Sequence, residues 1–251
     1  MDAYGETAVN YNRDIEIFPV MNALFEDIYG QSPYKSPTDM GVNMIGSCIC
    51  DDEVCREASR QEIIRRYYTS LCKFAEGRCT ESEVNKISLL MKRARISTAD
   101  RKCTIAARER LEKSGLATTA MELEDGTILT GETSSLLGPS AALLLNALKH
   151  LAGIAHNVKL IPQTMIEPIQ KTKVEYLHGH NPRLHTDEVL VAISMMSLID
   201  ENCKLALGQL PNLAGAQVHS TVMLSEVDRK TFNKLGIGLT CDPVRKIKKH
   251  Q

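Results

Sequence analysis

The densest group of chemically active side chains in the sequence lies between Tyr176 and Glu188. This stretch holds three histidines together with Asn181, Arg183 and two carboxylates, and a helix is expected to begin at its end. Histidine titrates near neutral pH and moves protons, and arginine grips phosphate or carboxylate through two parallel hydrogen bonds. The stretch therefore predicts one wall of a binding or catalytic site, although it does not name a reaction.

Proton transfer and anion binding are the chemistry that these residues favour. His185 is the candidate general acid or base, Asp187 is a candidate to orient its ring, and His219 on a later strand is a candidate to converge on the same place. Arg183 and Asn181 are candidate anion-binding groups. A structural interpretation is open for each residue alone, because a turn, a helix start and an ion pair would use the same side chains.

A metal site is the alternative interpretation of the histidines. His178 and His180 are two positions apart, so both reach one ion only if the backbone between them is extended. His185 and Asp187 could add ligands and give a mixed nitrogen and oxygen set suited to zinc.

A polar loop before an apolar helix is a second candidate for anion binding. Thr133, Ser134 and Ser135 supply hydroxyl donors, and the first N–H groups and the positive dipole end of the helix attract anions. The G-x4-G-K-[ST] spacing of a P-loop is absent. A loop that merely caps a buried helix accounts for the same residues.

Two polar segments near the N-terminus flank a short helix that is predicted to begin at Pro19 and to be capped by Gly30. Asn12 and Arg13 precede this helix and Lys35 follows it. These segments are either simple connections or the rim of a pocket, in which case the three side chains would contact the ligand.

The composition limits the class of protein. The 251 residues are 43% hydrophobic and 24% charged, with a net charge of -1, so nothing attracts the chain as a whole to nucleic acid or to an anionic membrane. No apolar stretch approaches the length of a membrane span, and no signal peptide pattern is present. We expect a cytoplasmic protein with thiol cysteines and a small-molecule partner.

The order of patterns predicts an α+β fold in which a helical subdomain precedes a layered α/β subdomain. The expected segments are an N-terminal part with a short helix and polar loops at 1–50, the helical subdomain at 51–115, the α/β subdomain at 116–243 and a basic tail at 244–251. Asp125-Gly126 is a strong hairpin signal. Further strands are predicted at 158–161, 217–223 and 237–241.

Long segments of the chain resemble a bacterial family known only as uncharacterised protein family 0371. They include A-Y-G-E-T-A-V-N-Y-N-R-D, S-P-Y-K-S-P-T-D-M-G-V-N, N-P-R-L-H-T-D-E-V-L and L-G-I-G-L-T-C-D-P. Within the opening stretch, the resemblance places the family signature at residues 181–188, whereas the preceding His-Gly-His varies. The resemblance therefore favours anion and substrate binding over a metal site, and we assign no metal ligand.

The resemblance also implies proteins of about twice this length, whose N-terminal half is similar to a Rossmann-like nucleotide-binding unit. We therefore expect this chain to be a fragment, the C-terminal half without that N-terminal half. A topology like that of cytidine deaminases is implied for the α/β subdomain, but the H-x-E and P-C-x-x-C motifs of deaminase chemistry are absent. The H-E-x-x-H motif of metallopeptidases is also absent.

Three functions stay open on this evidence. The first is an enzyme that handles a nucleotide or another phosphorylated compound, with this chain closing the active site. The second is a non-catalytic module that binds a ligand or dimerises through its helices, and a homo-oligomer is expected. The third is a metal-dependent hydrolase. No cofactor is assigned.

Overall fold

A computed structural model of the chain describes residues 2–3, 6–7, 11–37, 40 and 52–244. The chain divides into two compact units, Met1–Asp100 and Arg101–Gln251. The described residues form a mixed α and β structure with a four-stranded sheet, which confirms the predicted fold class in its coarse form. The cytidine-deaminase-like topology stays a prediction.

The first unit is mostly helical. Its elements are β1 (Asp2–Ala3), β2 (Glu6–Thr7), α1 (Tyr11–Tyr29), α2 (Asp52–Ala75), α3 (Glu81–Arg93) and a 3-10 turn (Thr98–Asp100). A core cluster of Ile63, Ile64, Tyr68, Leu90 and Met91 joins α2 to α3. A capping box marks the start of α3, since the Thr80 N–H donates to the Glu83 side chain.

The prediction that the first helix begins at Pro19 was wrong. Helix α1 begins at Tyr11 and contains Pro19 in its interior. Proline fixes φ near a helical value, so a long helix can continue through it, but at the cost of one backbone hydrogen bond and of a close contact between its ring and the carbonyl four residues earlier. The predicted basic tail at 244–251 lies outside the described residues except for Val244.

The second unit surrounds the four-stranded sheet. Its elements are α4 (Lys102–Ser114), β3 (Thr118–Glu122), β4 (Ile128–Glu132), α5 (Pro139–Leu151), α6 (Gln163–Lys171) continued by a π-helical turn (Thr172–Tyr176), α7 (Thr186–Met196), α8 (Glu201–Leu207), a 3-10 turn (Leu210–Leu213), β5 (Gln217–Ser220), α9 (Glu226–Lys234) and β6 (Gly238–Cys241). The strand order is β4-β3-β5-β6, and the β5–β6 pair is parallel whereas the other two pairs are antiparallel.

Helix α4 belongs with the sheet although its sequence resembles that of the helices before it. Arg101, at its N-cap, is buried and donates from Nη1 to the Gln217 side chain (2.6 Å) and from Nη2 to the carbonyls of Val218 (3.0 Å) and Gly238. These bonds tie the start of α4 to β5 and β6. They give a physical reason for the division after Asp100, ahead of the change of sequence pattern at Gly115.

Of the predicted strands, the hairpin at Asp125-Gly126 forms and the strand at 158–161 does not. Gly126 has a positive φ of 83° in the turn between β3 and β4, as the Asp-Gly signal predicts. Residues 158–161 form no strand. Instead, the Lys149 ammonium group donates to the carbonyls of His156 (2.8 Å) and Val158 (3.4 Å), so a side chain on α5 holds this segment in turns. Among the helices of the described residues, none has the length and apolarity that a membrane span needs.

Candidate functional site

Two loops that the sequence singled out lie side by side in the second unit. The Leu184 N–H donates to the Leu136 carbonyl (2.9 Å), and the Gly138 N–H donates to the Leu184 carbonyl (3.1 Å). Arg183 Nε donates to the Ser134 carbonyl (2.6 Å). The structure therefore brings Arg183 to the loop that precedes α5, and it does so through backbone carbonyls.

His185 faces a buried carboxylate. Its Nδ1 lies 3.0 Å from Asp228 Oδ2, and the His185 side chain is 24% exposed whereas that of Asp228 is 6% exposed. A carboxylate only accepts hydrogen bonds, so Nδ1 carries the proton in this contact and Nε2 is the nitrogen left to accept one. The carboxylate at the ring is thus Asp228 rather than Asp187, which is exposed at the start of α7.

Asn181 contacts the other side of the imidazole. Its Nδ2 lies 3.3 Å from His185 Nε2, and its Oδ1 accepts the Arg183 N–H (3.3 Å). The Arg183 contact fixes the orientation of the amide, since its oxygen must face Arg183 and its nitrogen must face the ring. A donor at Nε2 agrees with the tautomer that Asp228 imposes on His185.

Asp228 also joins two helix starts. Its Oδ1 accepts the N–H and the hydroxyl of Thr186, each at 3.0 Å, at the first position of α7. Its Oδ2 accepts the hydroxyl of Ser225 (2.7 Å), the N-cap of α9. Burial alone would raise the pKa of Asp228, but the hydrogen bonds from His185, Thr186 and Ser225 outweigh it and lower that pKa.

The arrangement is not a Ser-His-Asp triad. Ser225 Oγ lies 3.3 Å from His185 Nδ1, the same nitrogen that Asp228 contacts. In a triad the serine and the aspartate contact opposite nitrogens of the ring. Ser225 instead donates to Asp228 and accepts the Asp228 N–H (3.2 Å), which makes it a capping residue.

A partly buried lysine holds the loop that carries Arg183 and His185. Lys173, in the π-helical turn, donates from Nζ to the Arg183 carbonyl and to Glu188 Oε2, both at 2.7 Å. The same Glu188 oxygen accepts the His185 N–H (2.7 Å). Gly179 donates to the Lys173 carbonyl (2.7 Å), and a Cβ at Gly179 would lie 2.8 Å from that oxygen. The π-helical turn thus positions a lysine that supports the site.

The hydroxyls of the predicted anion loop are mostly engaged in the loop itself. Ser134 Oγ accepts the N–H groups of Leu136 and Leu137, and Thr133 Oγ1 donates to the Ala117 carbonyl (3.2 Å). Ser135 is exposed, and its carbonyl accepts a hydrogen bond from Gln170 (3.0 Å). The anion-binding role of Thr133, Ser134 and Ser135 stays a prediction.

His219 lies elsewhere, in the buried middle of the sheet. Its Nδ1 is 2.9 Å from Thr240 Oγ1 and its Nε2 is 3.4 Å from Asp242 Oδ2. Burial lowers the pKa of His219 despite the hydrogen bond and charge of Asp242. The convergence of His219 with His185 stays a prediction.

Asp242 couples the sheet to α4 and makes stability sensitive to acid. Arg108 binds it through Nη2 (2.5 Å) and Nε (3.3 Å). Burial would raise the pKa of Asp242, but the hydrogen bonds from His219 and Arg108 outweigh it and lower the pKa to about 2 from an ordinary value of 3.8. A lowered pKa stabilises the folded state above the ordinary value, and this stabilisation is lost as the pH falls through the lowered one.

We therefore expect the wild-type chain to have a larger free energy of unfolding than Asp242→Asn at pH 4. This difference should decrease by about 2 kcal/mol as the pH is lowered from 4 to 2. Urea unfolding at a series of pH values measures the difference. Parallel pH profiles for the two proteins over this interval would contradict the coupling.

The remaining candidates lie in the first unit or outside the site. Asn12 and Arg13 belong to the first turn of α1, where only the backbone is described, and Lys35 is exposed in the segment that follows α1. Their role stays a prediction. His178, which has a positive φ of 54°, and His180 are exposed. No three His, Cys, Asp or Glu side chains of the described residues are grouped so that they could hold a metal ion.

Sequence reasoning missed Asp228, Ser225 as its partner, and Lys173. A signal for Asp228 existed, since Ser225-x-x-Asp228 predicts a helix start, but that pattern explains the aspartate without reference to His185. No local pattern relates Lys173 to Glu188, because a π-helical turn and a loop separate them.

The chain matches two family models, one in its N-terminal part and one in its C-terminal part. Residues 1–95 match the family described as domain of unknown function DUF1846, N-terminal, and residues 99–250 match its C-terminal counterpart. The interval between the two matches immediately precedes the division of the chain after Asp100. The expectation that this chain is the C-terminal half alone was wrong, because its first residues match the N-terminal domain.

Bacterial relatives agree with this match. A UPF0371 protein of Corynebacterium urealyticum is 50% identical over 243 residues, which cover 97% of this chain and 49% of the relative. A UPF0371 protein of Streptococcus pyogenes serotype M5 is 50% identical over 244 residues, with the same coverage of both chains. The chain thus spans about half the length of the curated relatives it matches.

Proposed function

Since the chain belongs to the family described as domain of unknown function DUF1846, we propose from its geometry that it binds a phosphorylated small molecule and that His185 moves a proton on that ligand. The observation that carries the proposal is the contact of His185 Nδ1 with the buried Asp228 carboxylate (3.0 Å). This contact fixes the ring of a side chain that is 24% exposed and leaves its Nε2 as the proton acceptor.

Arg183 supplies the charge for the phosphate. Its Nε is fixed on the Ser134 carbonyl (2.6 Å), which orients the planar guanidinium without neutralising it. Among the described residues, none accepts a hydrogen bond from its two terminal nitrogens. Arginine binds phosphate with paired N–H donors, and a nucleotide or another phosphate ester therefore suits this side chain.

Asn181 connects the residue that binds the phosphate with the residue that accepts the proton, since it contacts both the Arg183 backbone and His185 Nε2. A ligand hydroxyl or water that displaces the Asn181 amide, or shares Nε2 with it, would be in place to give its proton to His185. The Lys173–Glu188 pair keeps the loop in this arrangement. Each of these groups then has a distinct part: Arg183 binds, Asn181 orients, His185 accepts the proton and Asp228 stabilises the charged ring.

A non-catalytic ligand-binding module is the second candidate. The observation that favours it is the structural demand on Asp228, whose oxygens are engaged by Thr186 and Ser225 as well as by His185. The buried carboxylate would be needed to join α7 and α9 even without chemistry at His185. The two candidates differ in what His185 does once the ligand is bound.

Substitution of Arg183 by methionine is expected to weaken binding of a phosphorylated ligand about 10-fold to 100-fold, because charge-assisted hydrogen bonds contribute about 1.5–3 kcal/mol. The measurement is thermal unfolding of the wild-type chain with a panel of nucleoside phosphates, sugar phosphates and inorganic phosphate. A ligand at 100 times its Kd stabilises the folded state by about 2.7 kcal/mol. Arg229→Met, at an exposed arginine beside Asp228, is the matched control and should bind normally.

His185→Gln separates catalysis from binding once a ligand is found. We expect it to retain ligand affinity within about threefold and to reduce turnover of that ligand by about 100-fold to 10,000-fold. Unchanged turnover would exclude His185 as the proton acceptor. Binding without turnover in the wild-type chain would favour the non-catalytic module, and equal binding by wild type and Arg183→Met would contradict the anion site itself.

A further inference from the structure

Helix α7 is apolar on the side that faces solvent as well as on the side that faces the protein. Its inner face buries Val189, Ala192, Ile193 and Met196. Its outer face and the turn after it expose Val191 (63%), Met195 (61%), Leu198 (84%) and Ile199 (81%), with one small polar residue, Ser194, among them. A helix that is largely apolar on both sides is normally buried on both sides, whereas the outer face of α7 is not covered by the residues that the structure describes.

The exposed residues form one surface, here named the α7 outer face and defined as Val191, Met195, Leu198 and Ile199. Val191, Met195 and Leu198 follow one another at intervals of four and three residues, the spacing that places side chains on one side of a helix. Ile199 extends the surface at its C-terminal end. The four residues together expose about 500 Å² of largely apolar surface, which is the size of the largest apolar patch on a typical monomeric protein, and such patches are often functional.

We propose that the α7 outer face is the contact by which two copies of this chain form a symmetric dimer. Two such faces remove at most about 1,000 Å² from water, which is the lower limit for a specific protein interface, so the expected dimer is weak and depends on concentration. A two-fold contact needs a surface that is complementary to itself. The sequence from Val189 to Ile199 contains no charged residue, so the pairing of this surface with its own copy brings no like charges together.

The charges at the ends of the surface restrict how the helices cross. Asp187 stands one turn before Val191, and Asp200 and Glu201 follow Ile199, so both ends are acidic. Helices aligned along their whole length would place acidic residues of the two copies against one another. Helices that cross at about 50° near Met195 touch at their apolar centres and diverge towards their acidic ends. We therefore infer a crossed contact centred on Met195 and Leu198.

Leu198→Lys tests this surface. Sedimentation velocity of the full chain over a range of concentrations should show a monomer–dimer equilibrium for the wild type and a dimer Kd at least about 10-fold higher for Leu198→Lys. The matched control is Leu116→Lys, at an exposed leucine (46%) outside α7, which should dimerise like the wild type. Circular dichroism and thermal unfolding should show that both variants remain folded.

A cross-linking measurement gives an independent answer. Leu198→Cys should form a covalent dimer with a short bis-maleimide more efficiently than Leu116→Cys, because the two-fold axis brings the copies of residue 198 close together. A wild-type chain that stays monomeric at every concentration overturns the proposal. A dimer that persists unchanged in Leu198→Lys, with equal cross-linking of both cysteine variants, overturns it as well, since the contact would then lie elsewhere.

Discussion

Replacing Asp228 with alanine is expected to lower the free energy of unfolding by about 3–5 kcal/mol, the largest loss among the side chains of the candidate site. The carboxylate is 6% exposed and accepts hydrogen bonds from His185, from the N–H and hydroxyl of Thr186, and from Ser225. Removing it leaves the Thr186 donors, which are fully buried, without their acceptor, and each such group costs about 1–3 kcal/mol.

Two further variants separate the contributions at Asp228. Ser225→Ala removes the N-cap of α9 and should cost only about 1 kcal/mol, whereas Asp228→Asn keeps an oxygen for Thr186 and should fall between the two. Urea unfolding measures all three, with comparison at equal m-values. A loss within 1 kcal/mol for Asp228→Ala would show that the carboxylate does not join α7 and α9 as described.

The wild-type chain and the variants at Asp228 and Ser225 also show which nitrogen of His185 carries the proton. In the wild-type chain, ¹⁵N NMR of the imidazole should show the proton on Nδ1, where the Asp228 carboxylate accepts it. Asp228→Ala removes this acceptor and should allow the other tautomer to appear, while Ser225→Ala should not. Proton occupancy mainly on Nε2 in the wild-type chain would contradict both the contact and the proposed direction of proton transfer.

The sequence predicts the elements that local chemistry determines. Asp125-Gly126 specifies the β3–β4 hairpin, Thr80 with Glu83 specifies the start of α3, and Gly115 ends α4 with a positive φ of 68°. Each of these signals acts within a few residues, so it has the same meaning in any fold. Pro19 shows the limit of such reasoning, because a proline favours a first helical position but this helix continues through it in spite of the energetic cost.

The candidate site was only partly predictable, because its essential contacts join residues far apart in the sequence. Arg183 and His185 were recognisable from their chemical types, and the structure places Arg183 against Ser134. The partner of His185 was not recognisable, since Asp228 is 43 residues away and its local pattern already has an explanation as a helix cap. Asp187, the nearest carboxylate in the sequence, points to solvent because helix geometry turns it outward.

Gly131 decides how closely α5 approaches the sheet, and through α5 it positions the loop on which Arg183 docks. It lies in β4, and a Cβ built on it would lie 2.7 Å from the Pro139 carbonyl oxygen and would overlap the backbone nitrogen and Cα of Leu143 more closely still. Both neighbours are backbone atoms of α5, so no side-chain rotation can relieve the overlap. Only a shift of the helix can make room for a side chain.

Gly131→Ala is therefore expected to destabilise the folded state by about 3 kcal/mol, at the upper end of the cost of overpacking a core. Urea unfolding measures the loss. Gly208→Ala is the matched control, because its backbone is helical and a Cβ there would meet only carbonyl oxygens at 3.4 and 3.5 Å. This control should be neutral or stabilise the fold by up to about 1 kcal/mol, since alanine restricts the unfolded chain more than glycine does.

The Gly131→Ala variant also tests whether the loop between β4 and α5 carries the ligand site. If α5 moves away from β4, the carbonyls of Ser134 and Leu136 move with it, and Arg183 and Leu184 lose the partners that hold them. Ligand affinity should then fall in Gly131→Ala, when it is measured at a temperature at which this variant is still folded. The affinity of the control Gly208→Ala should equal that of the wild type. Wild-type affinity in a destabilised Gly131→Ala would mean that Arg183 binds its ligand independently of this loop.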